Sequence, residues 1–402
     1  MDKIFKIAKG FMREVMRYIG CKVGYYGRFT SLDSYAHNNS SHIEFLFKSK
    51  EKTIYAEPQN DVNYFGVLKQ GPEIESFLIL LKNASCFAFS DIILLDNGRY
   101  FCEIKDNRII GPTADCTDHR VLIEDNKFYY RTTNISSFRC EFVKSGIFFS
   151  GLFSWNYYHF TYQVLPRLRW IEDIESDVPL LIDRTCLETN SFYSLLRLLA
   201  HGRQNFFIME EKQRYLVGDL YYVSAQTYLQ PNHKSGTPYP KLRCFYKVST
   251  LSYLHDSIIH LADNSKEYPK RVFLGRKYVT SGRRLFNEEE CVECAKEYGF
   301  EVVYPEFMTI GEQVGLFNSA DVIIGGSGAA FTNLVYCSVG VKVVVFSKYR
   351  SQSGLWQTIV EYNGGKLMYL SETEEVNMSP EKAHAPFYIE IDKLKQKLDE
   401  LL

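Results

Sequence analysis

The chain has 402 residues, 46% of them hydrophobic and 15% aromatic, which is the composition of a globular protein too long for one ordinary core. Its 47 Lys and Arg residues are balanced by 48 Asp and Glu residues, giving a formal net charge of −1 at pH 7. Because nucleic-acid-binding proteins usually carry a basic excess, this balance argues against a nucleic-acid partner.

The first predicted element is a basic amphipathic helix over residues 1–23. Its apolar residues recur at helical spacing and its Lys and Arg residues outnumber the acidic ones, so residues 1–22 can lie on an anionic membrane surface. A first helix packed on the protein's own core is the alternative. With neither a signal peptide nor an apolar run of about 18 residues, we expect a cytoplasmic protein, peripheral at the inner face of the cell membrane.

Residues 24–235 are predicted to form an N-terminal domain. Up to residue 150, β-branched and aromatic residues alternate with Asn and Gly, which is typical of strands and turns. From Trp155 to about Ala225, helical patterns alternate with short apolar strands. The stretch 229–241 contains three prolines and is predicted to be a linker.

Residues 236–385 are predicted to form a second domain, of the α/β class. Five predicted strands alternate with helices of about 10 to 14 residues, a pattern typical of βαβ units and a parallel sheet covered on both faces. Residues 386–402 are predicted to form a closing amphipathic helix. Cys291 and Cys294 fall in a helical stretch without a second pair or a nearby His, which indicates reduced thiols rather than a zinc site.

A turn of small residues follows the third of these strands, and two familiar interpretations of it fail. A dinucleotide-binding turn has a third glycine and an acidic residue about 20 positions on. Here Phe331 takes the glycine's place, and the next strand ends in Ser347 and Lys348. A serine hydrolase would use Ser327 as nucleophile, but the only downstream histidine is His384 and no Asp lies between them.

The third interpretation is a phosphate site. Small residues keep side chains away from the start of a helix, so that a phosphate can approach the unpaired N–H groups and the positive end of the helix dipole. Close packing of the helix on the sheet, without a ligand, is the alternative. The small residues are Gly326, Ser327, Gly328, Ala329 and Ala330.

Three segments within residues 145–365 together resemble glycosyltransferase family 61. They are NYYHF at 156–160 followed by LPRL, FLGRKYVTSGRRLFNEEE at 273–290, and EFMTIGEQVGLFNSADVIIGGSGAAFTN at 306–333. The resemblance implies an α/β GT-B fold, with two Rossmann-like domains facing a cleft and here a β-rich N-terminal portion. It also implies an inverting glycosyltransferase, with 24–235 as the acceptor-side domain and 236–385 as the nucleotide-sugar-binding domain.

The donor site is expected on the second domain. No two aspartates in the chain are two positions apart, so the diphosphate charge is expected to fall to arginine and to the helix start rather than to an Asp-x-Asp metal site. We therefore expect a metal-independent enzyme without a cofactor, whose co-substrate is a nucleotide sugar, expected to be UDP-linked. The residues assigned to the donor are Arg276, Arg283, Arg284, Asn287, Gly326, Ser327, Gly328, Ala329 and Asn333.

The acceptor site is expected on the first domain. His159 is the candidate general base, because an imidazole with an ordinary pKa of about 6.5 suits proton abstraction near neutral pH. A structural histidine is the alternative. The acceptor is expected to be an oligosaccharide or lipid-linked glycan of surface-polysaccharide assembly. The residues assigned to substrate binding are Asn156 and Tyr158 on the first domain and Glu306, Glu312 and Gln313 on the second, with Glu306 expected to bind a hydroxyl of donor or acceptor.

Three departures from the family's usual residues support a second hypothesis. Ser327 stands where the family usually has His, Gln163 where it often has an acid, and Val345 near another acidic position. The alternative to an active hexosyl- or pentosyltransferase is therefore a catalytically impaired GT-B pseudoenzyme that binds a nucleotide or glycan, or acts as a scaffold.

Overall fold

The structure, a computed structural model, is a mixed α/β protein. It describes residues 26–56, 68–103, 122–125, 129–132, 138–229, 244–277, 285–349, 354–373 and 385–402, together with Met12 and Val15. These residues form two compact units, one within Met1–Lys50 and Glu75–Thr237 and the other within Glu51–Ile74 and Pro238–Leu402. Apart from two positions, the predicted helix at 1–23 lies outside the described residues.

The regular elements are numbered in chain order across both units. The strands are β1 (Tyr26–Arg28), β2 (Ile43–Glu51), β3 (Thr53–Ala56), β4 (Leu68–Gln70), β5 (Ile74–Cys86), β6 (Ile93–Leu94), β7 (Tyr100–Phe101), β8 (Leu122–Asp125), β9 (Tyr129–Thr132), β10 (Arg139–Phe149), β11 (Leu180–Asp183), β12 (Phe206–Met209), β13 (Gln213–Val223), β14 (Thr227–Tyr228), β15 (Phe245–Lys247), β16 (Arg271–Leu274), β17 (Glu301–Val303), β18 (Val322–Gly326), β19 (Lys342–Tyr349) and β20 (Lys366–Thr373). The α-helices are α1 (Leu32–Asn38), α2 (Tyr157–His159), α3 (Thr185–Glu188), α4 (Asn190–Leu199), α5 (Val248–Ile258), α6 (Glu288–Glu297), α7 (Ile310–Ser319), α8 (Leu355–Tyr362) and α9 (Ile391–Leu401). Within the described ranges, no helix has both the length and the apolar character to cross a membrane.

The main sheet of the first unit is parallel on one side and antiparallel on the other. Strands β12, β11, β10 and β13 lie in that order and run parallel, and β5 pairs with β13 in the opposite direction. The end of β10 is buried at Ile147, Phe148 and Phe149, because the strand lies inside the sheet. The strand order reverses between β10 and β13, and ligands of such sheets bind outside the carboxyl ends at the reversal.

The main sheet of the second unit is entirely parallel, as the alternation of strands and helices predicted. Its order is β17, β16, β18, β19, β20. Strand β18 is buried along its whole length, which explains its unbroken apolar run. In this sheet the order reverses between β16 and β18. The carboxyl ends of these two strands are therefore the expected ligand position of the second unit.

Helices α6 and α9 pack together against the second sheet. Their apolar residues share one core with the strands, and Cys291 and Cys294 are part of it. Burial raises the pKa of both thiols, Cys291 to about 12. The two cysteines are thus core residues of α6.

Two segments that the sequence predicts as regular helices are different in the structure. Residues 156–174 form α2, then a π-helix at Phe160–Val164 and a 3-10 helix at Leu165–Trp170. Pro166 has no N–H to donate, and its ring disfavours a continuing α-helix. The segment after the glycine turn is a 3-10 helix, Ala329–Tyr336.

Candidate active site

Arg276 lies just beyond the carboxyl end of β16, where the strand order of the second sheet reverses. Gly275 separates it from the strand, and a Cβ at Gly275 would lie 2.6 Å from the Tyr304 ring. The Arg276 guanidinium donates through Nη2 to the backbone carbonyls of Gly326 and Ser327 at the end of β18. The structure thus brings together the arginine and the glycine turn that the sequence assigned to the donor phosphates.

The glycine turn has room for this guanidinium because Gly328 carries no side chain. A Cβ on Gly328 would lie 2.9 Å from Arg276 Cζ. Among the described residues, nothing accepts from the backbone N–H groups of Gly328, Ala329 and Ala330, or from Nε and Nη1 of Arg276. Unpaired N–H groups at a helix start beside a guanidinium match the oxygens of a phosphate.

Two glutamates flank Arg276. Glu288 Oε1 accepts the backbone N–H of Arg276 at 2.9 Å, and Glu306 Oε1 accepts the backbone N–H of Lys277 at 3.0 Å. Burial lowers the pKa of the Arg276 guanidinium, while both carboxylates oppose that effect. Burial also raises the pKa of Glu288. Glu306 is exposed, so its predicted role of binding a substrate hydroxyl suits its position beside Arg276.

The candidate base, His159, ends α2 in the first unit. Asn156 begins that helix and its Oδ1 accepts the N–H of Tyr158 at 3.0 Å, so the asparagine assigned to the acceptor is the helix cap. Tyr158, also assigned to the acceptor, is 4% exposed, and its ring packs on Tyr162. His159 is partly buried, with the Phe153 ring centre 5.2 Å from its own.

Gln163 holds the imidazole of His159 in one tautomer. Nδ1 lies 2.7 Å from Gln163 Oε1, which only accepts, so Nδ1 carries the proton and Nε2 keeps its lone pair. Burial lowers the pKa of His159 to about 4, against the opposing effect of this hydrogen bond. The ring is therefore neutral at pH 7 and Nε2 can accept a proton.

The loop 150–155 before His159 is held by the sheet. Asp183, at the end of β11, accepts from the hydroxyl of Ser150 at 2.8 Å and from that of Ser154. Phe153 has a φ of +65°, a left-handed conformation that bulky residues rarely adopt. Such strain and π-helices both occur often at functional sites, and here they lie on either side of His159.

A pocket that the sequence did not predict lies beside Gln163 in the first unit. Its volume is about 370 Å³, including the part open to solvent, and it lies at the carboxyl ends of β10 and β13. The sequence signals near it were Gln163 and the LPRL segment at 165–168, which contains Arg167. The polar and aromatic residues that line the pocket are Asp91, Glu103, Gln163, Arg167, Tyr222 and Thr227.

Comparison with known proteins identifies the family to which this region is related. Residues 157–344 match the family model described as Glycosyltransferase 61. This part of the chain belongs to glycosyltransferase family 61. The matched range contains His159, Arg276 and the glycine turn, and membership of the family supports glycosyltransferase activity. No curated protein matches the chain.

Some of the other residues that were predicted to bind the sugar donor lie away from the glycine turn after β18. Arg283 and Arg284 lie outside the described residues. Asn287 donates through Nδ2 to the carbonyl of Ile389 at 3.0 Å and accepts its N–H at 2.8 Å. Asn287 therefore ties the start of α6 to the segment before α9. Within the described ranges, no group of three or more His, Cys, Asp or Glu side chains is arranged to hold a metal ion.

Glu312 is part of the N-terminal cap of α7. Its carboxylate binds Lys266 and accepts from the backbone N–H and the hydroxyl of Thr309 in a capping box. The ion pair with Lys266, followed by the hydrogen bonds from Thr309, lowers the pKa of Glu312 to about 2. Its acceptor atoms are thus engaged within the protein rather than presented to a substrate.

Gln313 and Asn333 form a buried amide pair. Gln313 Nε2 donates to the carbonyls of Pro305 and Met308 at 3.0 and 3.1 Å, and its Oε1 accepts from Asn333 Nδ2 at 2.7 Å. Gln313 and Asn333 are 6% and 1% exposed, respectively. The pair therefore holds the loop after β17 against the 3-10 helix that follows the glycine turn.

We expect Gln313→Leu to lower the free energy of unfolding by about 2 to 4 kcal/mol, because two carbonyls and the Asn333 amide lose a buried partner. Chemical denaturation measures this change. The matched control is Gln396→Leu, since Gln396 is exposed on α9 and, among the described residues, bonds only Glu400. The control should change stability by less than about 0.5 kcal/mol, and an equal effect of the two substitutions would contradict the structural role of Gln313.

Proposed function

We propose that the chain is an inverting, metal-independent glycosyltransferase that moves a sugar from a UDP-linked nucleotide sugar to a glycan acceptor. The observation that carries this proposal is the grouping of the Arg276 guanidinium with the unpaired N–H groups of Gly328, Ala329 and Ala330. A departing diphosphate develops negative charge, and fixed donors of this kind stabilise it without a metal ion. The nucleotide sugar is the co-substrate, and no cofactor is required.

The proposal includes the GT-B fold. Each unit, taken by itself, contains parallel strands whose order reverses once, between β10 and β13 in the first and between β16 and β18 in the second. Both strand orders occur in doubly wound folds that bind nucleotides. We assign the acceptor side to residues 24–235, the donor side to 236–385 and the closing helix to 386–402.

His159 is the proposed general base of this reaction. Its neutral imidazole accepts the proton of the acceptor hydroxyl at Nε2 while the oxygen attacks the anomeric carbon opposite the leaving nucleotide. Gln163 fixes the ring, and Asn156 and Tyr158 hold the helix that carries it. Although Gln163 replaces an acid that the family often has at this position, it therefore orients the proposed base.

We further propose a place in surface-polysaccharide assembly, with an oligosaccharide or lipid-linked glycan as acceptor. The basic pattern of residues 1–22 supports a peripheral contact with an anionic membrane at the cytoplasmic face. Co-sedimentation with anionic and with neutral lipid vesicles tests this contact. Equal binding to both kinds of vesicle would contradict it.

The experiment that tests the reaction measures nucleotide release from a panel of UDP-, GDP- and CDP-sugars, with and without EDTA. UDP at about 100 times its Kd should stabilise the fold by about 2.7 kcal/mol, which a thermal shift detects. We expect turnover of a UDP-sugar that EDTA leaves unchanged. Complete loss with EDTA, restored by Mg²⁺, would contradict metal independence. No thermal shift and no turnover with any donor would contradict the transferase function and leave the pseudoenzyme.

A further inference from the structure

The pocket beside Gln163 contains two buried polar atoms without a hydrogen-bond partner. They are Nε of Arg167 and Oγ1 of Thr227, and neither finds a partner within the described part of the chain. Arg167 is 3% exposed and Thr227 is 2% exposed. Because buried polar groups in proteins are nearly always hydrogen-bonded, two such atoms in one pocket point to a ligand group that bonds both.

The contacts of Arg167 fix its guanidinium in this position. Nη1 donates to the carbonyl of Ser150 at 2.7 Å, and Nη2 lies 3.7 Å from Asp91 Oδ1. The guanidinium also lies over the rings of Phe148 and Tyr222, 5.7 and 5.9 Å from their centres. These contacts fix the position of the guanidinium, and its buried Nε–H has no acceptor within the described part of the chain.

The charge of the pocket selects a neutral ligand. Glu103 accepts from the hydroxyls of Tyr222 and Tyr228 at 3.0 and 2.8 Å and from the N–H of Ala225 at 2.7 Å, so its carboxylate is satisfied within the protein. Together with Asp91, it gives the pocket two carboxylates against one guanidinium. An anionic group would be repelled, whereas a hydroxyl can accept from Arg167 and exchange a hydrogen bond with Thr227.

The size of the pocket favours a small substituent that extends from a sugar ring. The space clear of the pocket walls has room for about one water-sized group, which is too little for a whole sugar ring. The oxygen of a hydroxymethyl group stands away from the ring that carries it and fits such a space. Gln163 lines the pocket and also binds the His159 imidazole, so a sugar anchored there lies beside the proposed base.

We propose that this pocket binds the hydroxymethyl group of a neutral hexose in the acceptor, with Arg167 and Thr227 bonding its oxygen. The proposal rests on the proposed function, because it takes the sugar beside His159 to be the acceptor. It makes Thr227 and Arg167 specificity-determining residues. A pentose lacks the group that they bind, and a uronic acid carries a carboxylate in its place.

The test compares methyl glycosides that share one ring and differ only in this group. Glucoside, xyloside and glucuronide form one set, and galactoside, L-arabinoside and galacturonide form the second. Their binding to the full-length chain is titrated by saturation-transfer NMR in the presence of UDP. We expect one hexoside to bind about 10-fold tighter than its pentoside and uronide, because these leave buried donors unpaired or bring in a repelled charge. Equal binding within each set, a preference for the uronide, or no binding overturns the proposal.

The decisive variant is Thr227→Val, which keeps the shape of the side chain and removes the hydroxyl. It should reduce the hexoside preference by about 5- to 10-fold. The control is Thr161→Val, because Thr161 is equally buried in the same unit but does not line the pocket. The control should keep the preference, and a loss shared by both variants overturns the proposal.

Two further measurements distinguish this proposal from a pocket for the donor sugar and from the proposed transferase function. The affinity for UDP-glucose should be the same in the wild type and in Thr227→Val. A lower affinity for UDP-glucose in the variant would mean that the pocket holds the donor sugar, and the assignment of the pocket to the acceptor would be wrong. Binding of UDP that depends on Arg276, without any hexoside preference, overturns this proposal alone. A hexoside preference that depends on Thr227, without nucleotide binding or turnover, retains the pocket and overturns the transferase function.

Discussion

Replacing Arg276 with alanine should lower kcat/KM for the nucleotide sugar by about 10²- to 10³-fold, the usual effect of removing one fixed donor from a developing negative charge. Arg276 lies at the carboxyl ends of β16 and β18, and its Nε and Nη1 have no partner among the described residues. The affinity for UDP alone should fall as well, because the diphosphate is bound before the sugar is transferred. Isothermal titration with UDP and initial rates of nucleotide release measure the two effects.

Because Arg276 also bonds two backbone carbonyls, a control has to separate phosphate binding from loss of structure. Arg271→Ala provides it, since Arg271 lies at the other end of β16 and donates to the carbonyl of Tyr298 at 2.5 Å. That variant should keep its affinity for UDP. Unchanged UDP affinity in Arg276→Ala, or equal losses in both variants, would contradict the phosphate assignment.

Gly328→Ala is a second way to disturb the same contact. The φ of Gly328 is −173°, which any residue adopts, so the substitution adds no backbone strain. Its methyl group would instead meet the Arg276 guanidinium and displace it. We therefore expect Gly328→Ala to weaken UDP binding in the same direction as Arg276→Ala, although the arginine is still present.

The proximity of Arg276 to the glycine turn was predictable from sequence because one rule of sheet geometry connects the two. Arg276 and Gly326 are 50 residues apart, but each follows or ends a strand in a regular βαβ pattern. Carboxyl ends of parallel strands lie along one edge, so residues at two such ends meet when the strands are neighbours. The pattern cannot state which strands are neighbours, and the adjacency of β16 and β18 comes from the structure.

Polar residues with internal partners were harder to predict. Glu312, Gln313 and Asn333 are polar and stand in the segments that resemble the family, so they were assigned to substrate or donor. In the structure their polar atoms cap a helix or bond one another and nearby backbone groups. A sequence shows that a side chain has hydrogen-bonding atoms, but not whether a ligand or the protein satisfies them.

The pocket of the first unit was not predictable for a topological reason. Asp91, Glu103, Arg167 and Thr227 come from separate parts of the chain, and β13 brings them together only by pairing with β5 on one edge and β10 on the other. The strand pattern of residues 24–150 predicts that strands exist, but short strands with variable turns leave their order open. Only Arg167, which lies in the LPRL segment, and Gln163, which departs from the family pattern, carried any signal.

His159→Ala should lower kcat by about 10²- to 10⁴-fold, because the acceptor hydroxyl loses its general base. Donor affinity should be unchanged, since the phosphate donors that we assign belong to the second unit. The control is His255→Gln, a histidine of α5 that bonds its neighbour Asp256. It should leave kcat unchanged. A wild-type kcat in His159→Ala would remove His159 from the mechanism.

The pH profile gives the sharper test of His159. Only the neutral imidazole can accept a proton, and burial lowers its pKa from 6.5 to about 4, so kcat should fall only as the pH drops through about 4. Gln163→Glu would place a carboxylate on the Nδ1 proton and favour the charged ring, which raises the pKa and moves this acidic limb to higher pH. An acidic limb at about 6.5 in the wild type, or one that Gln163→Glu leaves in place, would show that His159 is not the titrating base. The acidic limb of the pH profile reports the titration of the His159 imidazole, and its shift reports the hydrogen bond to residue 163. Loss of activity in an alanine variant alone reports neither.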